Sequence, residues 1–169
     1  MTSDSISFDH SAAIDGLIER SFEAFKPPER LTVSEWAVRH RRLSPEGSAF
    51  TGRFRLETAP YQQEPMEAVN DADVQSVVLM WASQTGKTEV INNVVGFFIC
   101  EEPSPMLILQ PTLDMAETWS KDRLAPMVRD TAVLTDLVAD AKARDSGNTV
   151  LHKRFTGGHV TVAGANSPA

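Results

Sequence analysis

The sequence predicts an α/β fold: a parallel sheet with flanking helices, preceded by an N-terminal helical segment. Three observations carry that expectation. Two near-continuous apolar runs of strand length, "QSVVLMWA" at 75–82 and "MLILQ" at 106–110, are each followed by a helical pattern, as in strands covered on both faces. A polar turn, "SQTGKT" at 83–88, joins the first run to its helix. The order strand, helix, strand, helix is that of a parallel sheet built through crossovers.

The elements follow in chain order. Residues 1–9 are polar and carry no periodic pattern. Ile14, Leu17, Ile18 and Phe25 recur at helical spacing, and Pro27 and Pro28 end that helix. Ser34 is placed to cap a short helix through "EWAVRHRRL", which gathers Arg39, His40, Arg41 and Arg42 into the strongest basic cluster of the chain. The stretch 44–59 reads as a loop punctuated by Pro45, Gly47 and Gly52, with Arg53 and Arg55 flanking Phe54. Pro60 is suited to start a helix through "YQQEPMEAVND", provided Pro65 falls in its first turn.

After the 83–88 turn, "EVINNVVGFFIC" continues as a helix with Val90, Ile91, Val94, Val95 and Phe98 apolar. Thr112 or Asp114 then caps a helix on which Met115, Trp119, Met127 and Val128 pack, with Pro126 at a bend or boundary. Val133, Leu134, Leu137, Val138 and Ala141 suggest a further helix. "TVLHKRF" and "HVTVAG" alternate around "TGG" and predict a β-hairpin. Two central strands and a hairpin do not complete a doubly wound sheet. The expectation is a sheet left incomplete at the C-terminus, in a piece of a larger protein.

Composition narrows the function. With 169 residues, 41% hydrophobic and 23% charged, the chain can bury one ordinary core. A net charge of −7 argues against coating nucleic acid with the whole surface, which requires clustered Lys and Arg, although a local basic patch remains open. Arg39, Arg41 and Arg42, and also Arg53 and Arg55, could contact phosphates or simply form a solvated face. Cys100 is the sole cysteine, which excludes an intrachain disulfide and a cysteine-rich zinc site and fits a reducing cytosol. No secretory signal or membrane span is expected. His10, His40, His152 and His159 are scattered, and none is at the spacing of a helical metal pair.

The 83–88 turn is where chemistry concentrates. A triphosphate needs backbone N–H groups around it, a cation within reach and a hydroxyl ligand for magnesium. Ser83, Gln84, Thr85 and Gly86 supply the loop, Lys87 the cation for the β and γ phosphates, and Thr88 the Mg²⁺ ligand, all at a helix N-terminus. Trp81 stands where the G-x-x-x-x-G-K-[ST] pattern has its first glycine, and is expected to close the preceding strand. These residues predict a P-loop site for ATP and Mg²⁺.

Beyond the loop, four stretches together resemble the GpA-type large subunits of tailed-phage terminases, the ATP-driven DNA packaging motors. They are "LSPEGSAFTGRFRLETAPYQQEPMEAV", "VVLMWASQTGKTE", "LILQPTLDMAETWSKDRLAPMVRDT" and "GGHVTVAGANSPA", in the family's order. The resemblance implies a RecA/ASCE-like P-loop NTPase, with an N-terminal helical segment at 1–43 and the ATPase domain at 44–169, truncated before its Walker B strand. It makes "SQTGKT" the Walker A segment, with Lys87 and Thr88 catalytic. "PYQQEPM" is similar to the adenine-contacting motif, which makes Gln62 or Gln63 the base-reading residue and Tyr61 a possible stacker.

The resemblance further implies double-stranded phage DNA, a terminase small subunit and the portal of a procapsid as partners, a homo-oligomeric motor, a host-cytoplasmic location and an endonuclease domain further along. The family's loop arginine is absent, since Ser83 or Gln84 occupies that region. A charge-stabilising arginine must then come from elsewhere. The Walker B aspartate and the catalytic glutamate are expected beyond Ala169, so the chain alone would bind ATP weakly and hydrolyse it negligibly. The rival readings are a superfamily-2-like helicase or translocase fragment and a nucleotide-binding module that does not hydrolyse.

Overall fold

The computed structural model describes residues 10–24, 30–48, 50–138 and 148–166. Contacts divide the chain into two units, Met1–Arg30 and Leu31–Ala169. In the first, helix α1 (His10–Ala24) carries two local side-chain bonds, Arg20 Nε to the Gly16 carbonyl and Ser21 Oγ to the Leu17 carbonyl, both at 2.8 Å. Phe25, expected on its apolar face, lies outside the described residues.

Helix α2 (Val33–His40) belongs to the second unit, although the sequence groups it with the N-terminal segment 1–43. Its cap is Thr32 rather than Ser34. Thr32 Oγ1 accepts from the Glu35 amide at 3.3 Å and the Thr32 amide donates to Glu35 Oε2 at 2.8 Å, a reciprocal capping box. That bond holds the Glu35 carboxyl below the usual carboxylate range. Ser34, one position inside the helix, donates to Glu67 instead. Val33, Trp36 and Ala37 are fully buried, and a Cβ at Gly96 would collide with the Trp36 ring.

The loop that follows is tied down by a short antiparallel ladder of β1 (Arg42–Leu43) with β2 (Gly52–Arg53) and by the buried Phe54. Pro60 opens a 3₁₀ turn, Pro60–Gln62, that runs into α3 (Gln63–Ala68). Pro65 falls in the first turn of α3, where its missing N–H has no helical partner to lose.

Residues 75–82 do not form the expected central strand. They carry no regular structure and pair with no strand among the described residues, and Val78 and Met80 are 75% and 89% exposed. Leu79 and Trp81 lean on the core. Apolarity records a tendency to be buried, whereas a strand exists only where another backbone takes its N–H and C=O groups.

Helix α4 (Lys87–Cys100) ends where expected but starts two residues before the expected Glu89, and it buries Val90, Val95, Phe97 and Ile99, while Cys100 at its end is half-buried. Strand β3 (Met106–Gln110) matches its expected span, and its parallel partner is β5 (Gly158–Gly164), with Ile108 opposite Val162. The hairpin of β4 (His152–Phe155) with β5 is present, turning at Gly157, whose φ of 88° suits glycine. The sheet order is therefore β3-β5-β4.

Thr112 caps α5 (Leu113–Trp119), its Oγ1 accepting from the Met115 amide at 3.2 Å. A π-type turn, Ser120–Leu124, links α5 to α6 (Ala125–Asp130). Pro126 explains the widened turn, because it has no N–H to offer the carbonyl four residues back and its ring crowds that carbonyl. The next helix is a single turn, α7 (Ala132–Thr135), after which Val138 bridges to Phe155. Ala141 lies outside the described residues.

Candidate nucleotide site

The loop between the 75–82 segment and α4 is built from two left-handed residues. Gln84 has φ 61° and Gly86 has φ 85°. Glycine is favoured at position 86 twice over, since its φ strains any side chain and a Cβ there would collide with Gln62 Nε2. Gln84 accepts a conformation that costs about 1–2 kcal/mol for an L residue.

The loop is braced from within and from below. Lys87, first residue of α4, turns its ammonium back on the loop, donating to the carbonyls of Trp81 at 2.8 Å and Ala82 at 2.7 Å. Thr85 Oγ1 donates to the Ala82 carbonyl at 2.8 Å. Tyr61 OH donates to the Thr85 carbonyl at 3.1 Å, and its ring meets Trp81 edge-on, with centroids 5.2 Å apart. Trp81 therefore supports the loop from the place where the motif has a glycine.

Of the two glutamines, Gln62 is 5% exposed and directs Nε2 toward the Thr85 carbonyl at 3.5 Å, with Oε1 buried and unpartnered in the protein. Gln63 is exposed and donates to Glu67 Oε1 at 2.6 Å on its own helix. The fold thus gathers Tyr61, Gln62, Trp81, Thr85, Gly86 and Lys87 and leaves Gln63 out. Ser83 and Gln84 are exposed at the loop's crown, and Thr88 is half-buried in the first turn of α4.

Chemically, the decisive feature is the N-terminus of α4. No side chain caps it. Its first-turn N–H groups and the positive end of its dipole face a loop that already holds a lysine ammonium, a combination that favours an anion with several oxygens. The residue types fit a magnesium nucleotide: amides and Lys87 for phosphate oxygens, and the Thr88 hydroxyl as a hard oxygen ligand.

One charged residue was not legible in its role. Arg41 reads in the sequence as part of a basic surface, yet it is 4% exposed, and its Nη2 lies 3.0 Å from Glu89 Oε2 in the first turn of α4. Burial pushes its guanidinium below the usual range, with Glu89 and then Asp130 opposing the shift. The signal was present in the spacing: Arg41 falls eight residues after Val33, on the face that Val33 and Ala37 bury. Arg42, Arg53 and Arg55 remain exposed, with Arg42 opposite Arg53 in the β1–β2 ladder.

Among the described residues no cluster of three or more His, Cys, Asp or Glu is arranged for a metal ion, and no helix is long and apolar enough to cross a membrane. His152 and His159 come together across the hairpin, with ring centroids 5.1 Å apart and His152 Nδ1 within 3.0 Å of Thr161 Oγ1.

Comparison with known proteins identifies the family. The family described as phage terminase large subunit gpA, ATPase domain, matches residues 48–169. The chain is 30% identical over 131 residues to the terminase large subunit of Enterobacteria phage P21, and to the same extent to that of Escherichia phage lambda. The matched stretch covers 78% of this chain and 20% of each relative, so the chain spans about a fifth of the relatives it matches. No solved structure matches it. From the family match over the loop and its supports, the chain belongs to the ATPase-domain family of the phage terminase large subunit gpA.

Proposed function

We propose that this chain is the ATP-binding portion of a terminase large subunit with a P-loop fold, part of the motor that couples ATP hydrolysis to packaging of double-stranded phage DNA. The single observation that carries the reading is the uncapped N-terminus of α4 directly behind a loop that holds the Lys87 ammonium. In this proposal the loop amides from Ser83 to Gly86 surround the phosphates. Lys87 exchanges the Trp81 and Ala82 carbonyls for β- and γ-phosphate oxygens, and Thr88 holds magnesium. Magnesium held at Thr88 would supply neutralisation of phosphate charge.

Gln62 is the base-reading candidate, because it already adjoins the loop while Gln63 is committed to Glu67. The exposed Arg39, Arg42, Arg53 and Arg55 are the DNA-phosphate candidates, and Arg41 leaves that set because it is buried and paired. The terminase small subunit, the portal of a procapsid and further copies of the large subunit complete the proposed assembly in the host cytoplasm. Nuclease activity is assigned to parts of the full-length protein other than this site.

The test is calorimetric titration of the chain with MgATP. Lys87→Ala is expected to weaken binding by roughly 10- to 100-fold, the equivalent of about 1.5–3 kcal/mol for a charge-assisted hydrogen bond. Equal affinity of the two proteins would refute the assignment of the loop.

A further inference from the structure

The first turn of α4 holds a charge that the phosphate chemistry does not use. Lys87, Thr88 and Glu89 are consecutive, so a carboxylate stands immediately beyond the residues assigned to phosphate and magnesium. An anion in a first turn stabilises the helix, but it also opposes any triphosphate that approaches the same amides.

That carboxylate is covered from the opposite helix. Arg41 follows the last residue of α2, and its Nη2 donates to Glu89 Oε2 at 3.0 Å while Nη1 donates to the Arg42 carbonyl. Asn92 Nδ2 lies 3.4 Å from the other Glu89 oxygen. Asp130 is the next nearest carboxylate influence on Arg41, and Asp122 and Arg123 line the same small cavity beside the pair. Arg123 is occupied by the Gly47 carbonyl. Glu89 is thus the one carboxylate among the described residues that is hydrogen-bonded to Arg41.

We propose that the Arg41–Glu89 pair balances charge at the nucleotide site. Arg41 acts through Glu89, cancelling a negative charge that otherwise repels bound triphosphate. Arg41 is a positioning residue, since it touches neither the loop nor any atom assigned to the nucleotide. The inference rests on the nucleotide reading of the loop.

Electrostatics gives each substitution a sign that a merely structural role does not share. Removing the cation leaves Glu89 uncompensated, and removing the carboxylate leaves a surplus cation near the phosphates. MgATP titrations of the intact chain separate the cases. Arg41→Ala is expected to weaken MgATP binding by roughly five- to tenfold, as one unscreened charge at this range would do. Arg41→Ala with Glu89→Gln should return affinity to within about twofold of wild type, and Glu89→Gln alone should leave it equal or tighter, because only the charge has changed.

A pair that only braces the fold predicts weaker binding in all three variants. That pattern, or an Arg41→Ala protein with wild-type affinity, overturns the proposal. Removing one partner of a buried pair can be strongly destabilising. If Arg41→Ala does not fold, the Glu89→Gln measurement decides, with weakened binding counting against the proposal. Lys87→Ala run in parallel separates the layers. Indifference to Lys87 removes the nucleotide reading and this inference together, whereas Lys87-dependent binding with the wrong signs at Arg41 and Glu89 removes the inference alone.

Discussion

Helices α4 and α5 start in similar surroundings and end up with different jobs. Each follows an apolar segment through a short turn, at 83–86 before α4 and at 111–112 before α5. At α5 the orphan N–H groups are handled by the chain itself. Thr112 Oγ1 accepts from Met115, and Gly164 at the end of β5 packs so closely on Thr112 and Leu113 that a Cβ there would collide with their backbone. At α4 there is a left-handed glycine in the cap position, no side-chain acceptor, and a lysine folded back over the loop. A capped and covered helix start is a structural joint. An uncapped one beside a cation is a place for an anion.

The sharpest way to break this contrast is to alter the glycine that keeps the α4 start open. Gly86→Ala places a side chain at φ 85° and drives it into Gln62 Nε2. Stability in urea should fall by about 1–3 kcal/mol, the usual cost of a strained backbone position. MgATP binding should vanish with it, because the loop can no longer close beneath the phosphates. An alanine variant that keeps both stability and affinity would show that the left-handed turn is incidental.

Thr112→Ala is the matched experiment at the other helix. Loss of one cap should lower unfolding free energy by about 1 kcal/mol. MgATP affinity should stay within about twofold of wild type, since a joint on the far helix carries no part of the site. A large drop in affinity from Thr112→Ala would mean that the two helix starts are coupled, and the division between joint and site would fail.

What the sequence made legible follows the same line between local and non-local causes. The Lys87–Cys100 helix, the β3 strand and the hairpin about Gly157 were readable because periodicity and turn chemistry act within a few residues. The 75–82 segment was misread because pairing depends on a neighbour that hydrophobicity does not name. Its Val78 and Met80 are as apolar as any core residue and yet lie exposed. In the candidate site, the turn before α4 was legible from the motif. Which of Gln62 and Gln63 packs beneath that turn was not, because two adjacent residues on a turn differ only in direction. Arg41 was hidden by its company, since four basic or histidine residues in a row at 39–42 suggest one surface, whereas the helix turns one of them inward.

The smallest expected effect concerns Gln84, the one non-glycine among the described residues with positive φ. Its left-handed conformation costs about 1–2 kcal/mol relative to glycine in the folded loop. Glycine in turn has more freedom to lose from the unfolded chain, roughly 0.5–1 kcal/mol. The two effects partly cancel, so Gln84→Gly should raise stability in urea by about 0–1.5 kcal/mol. Binding should move the other way. A glutamine held at φ 61° fixes the crown of the loop before the nucleotide arrives, and glycine returns that ordering cost to the binding step. MgATP affinity should therefore weaken by a factor of about two to five while the fold becomes no less stable. A Gln84→Gly protein that loses stability and affinity together would mean instead that the glutamine side chain, and not its backbone, holds the loop.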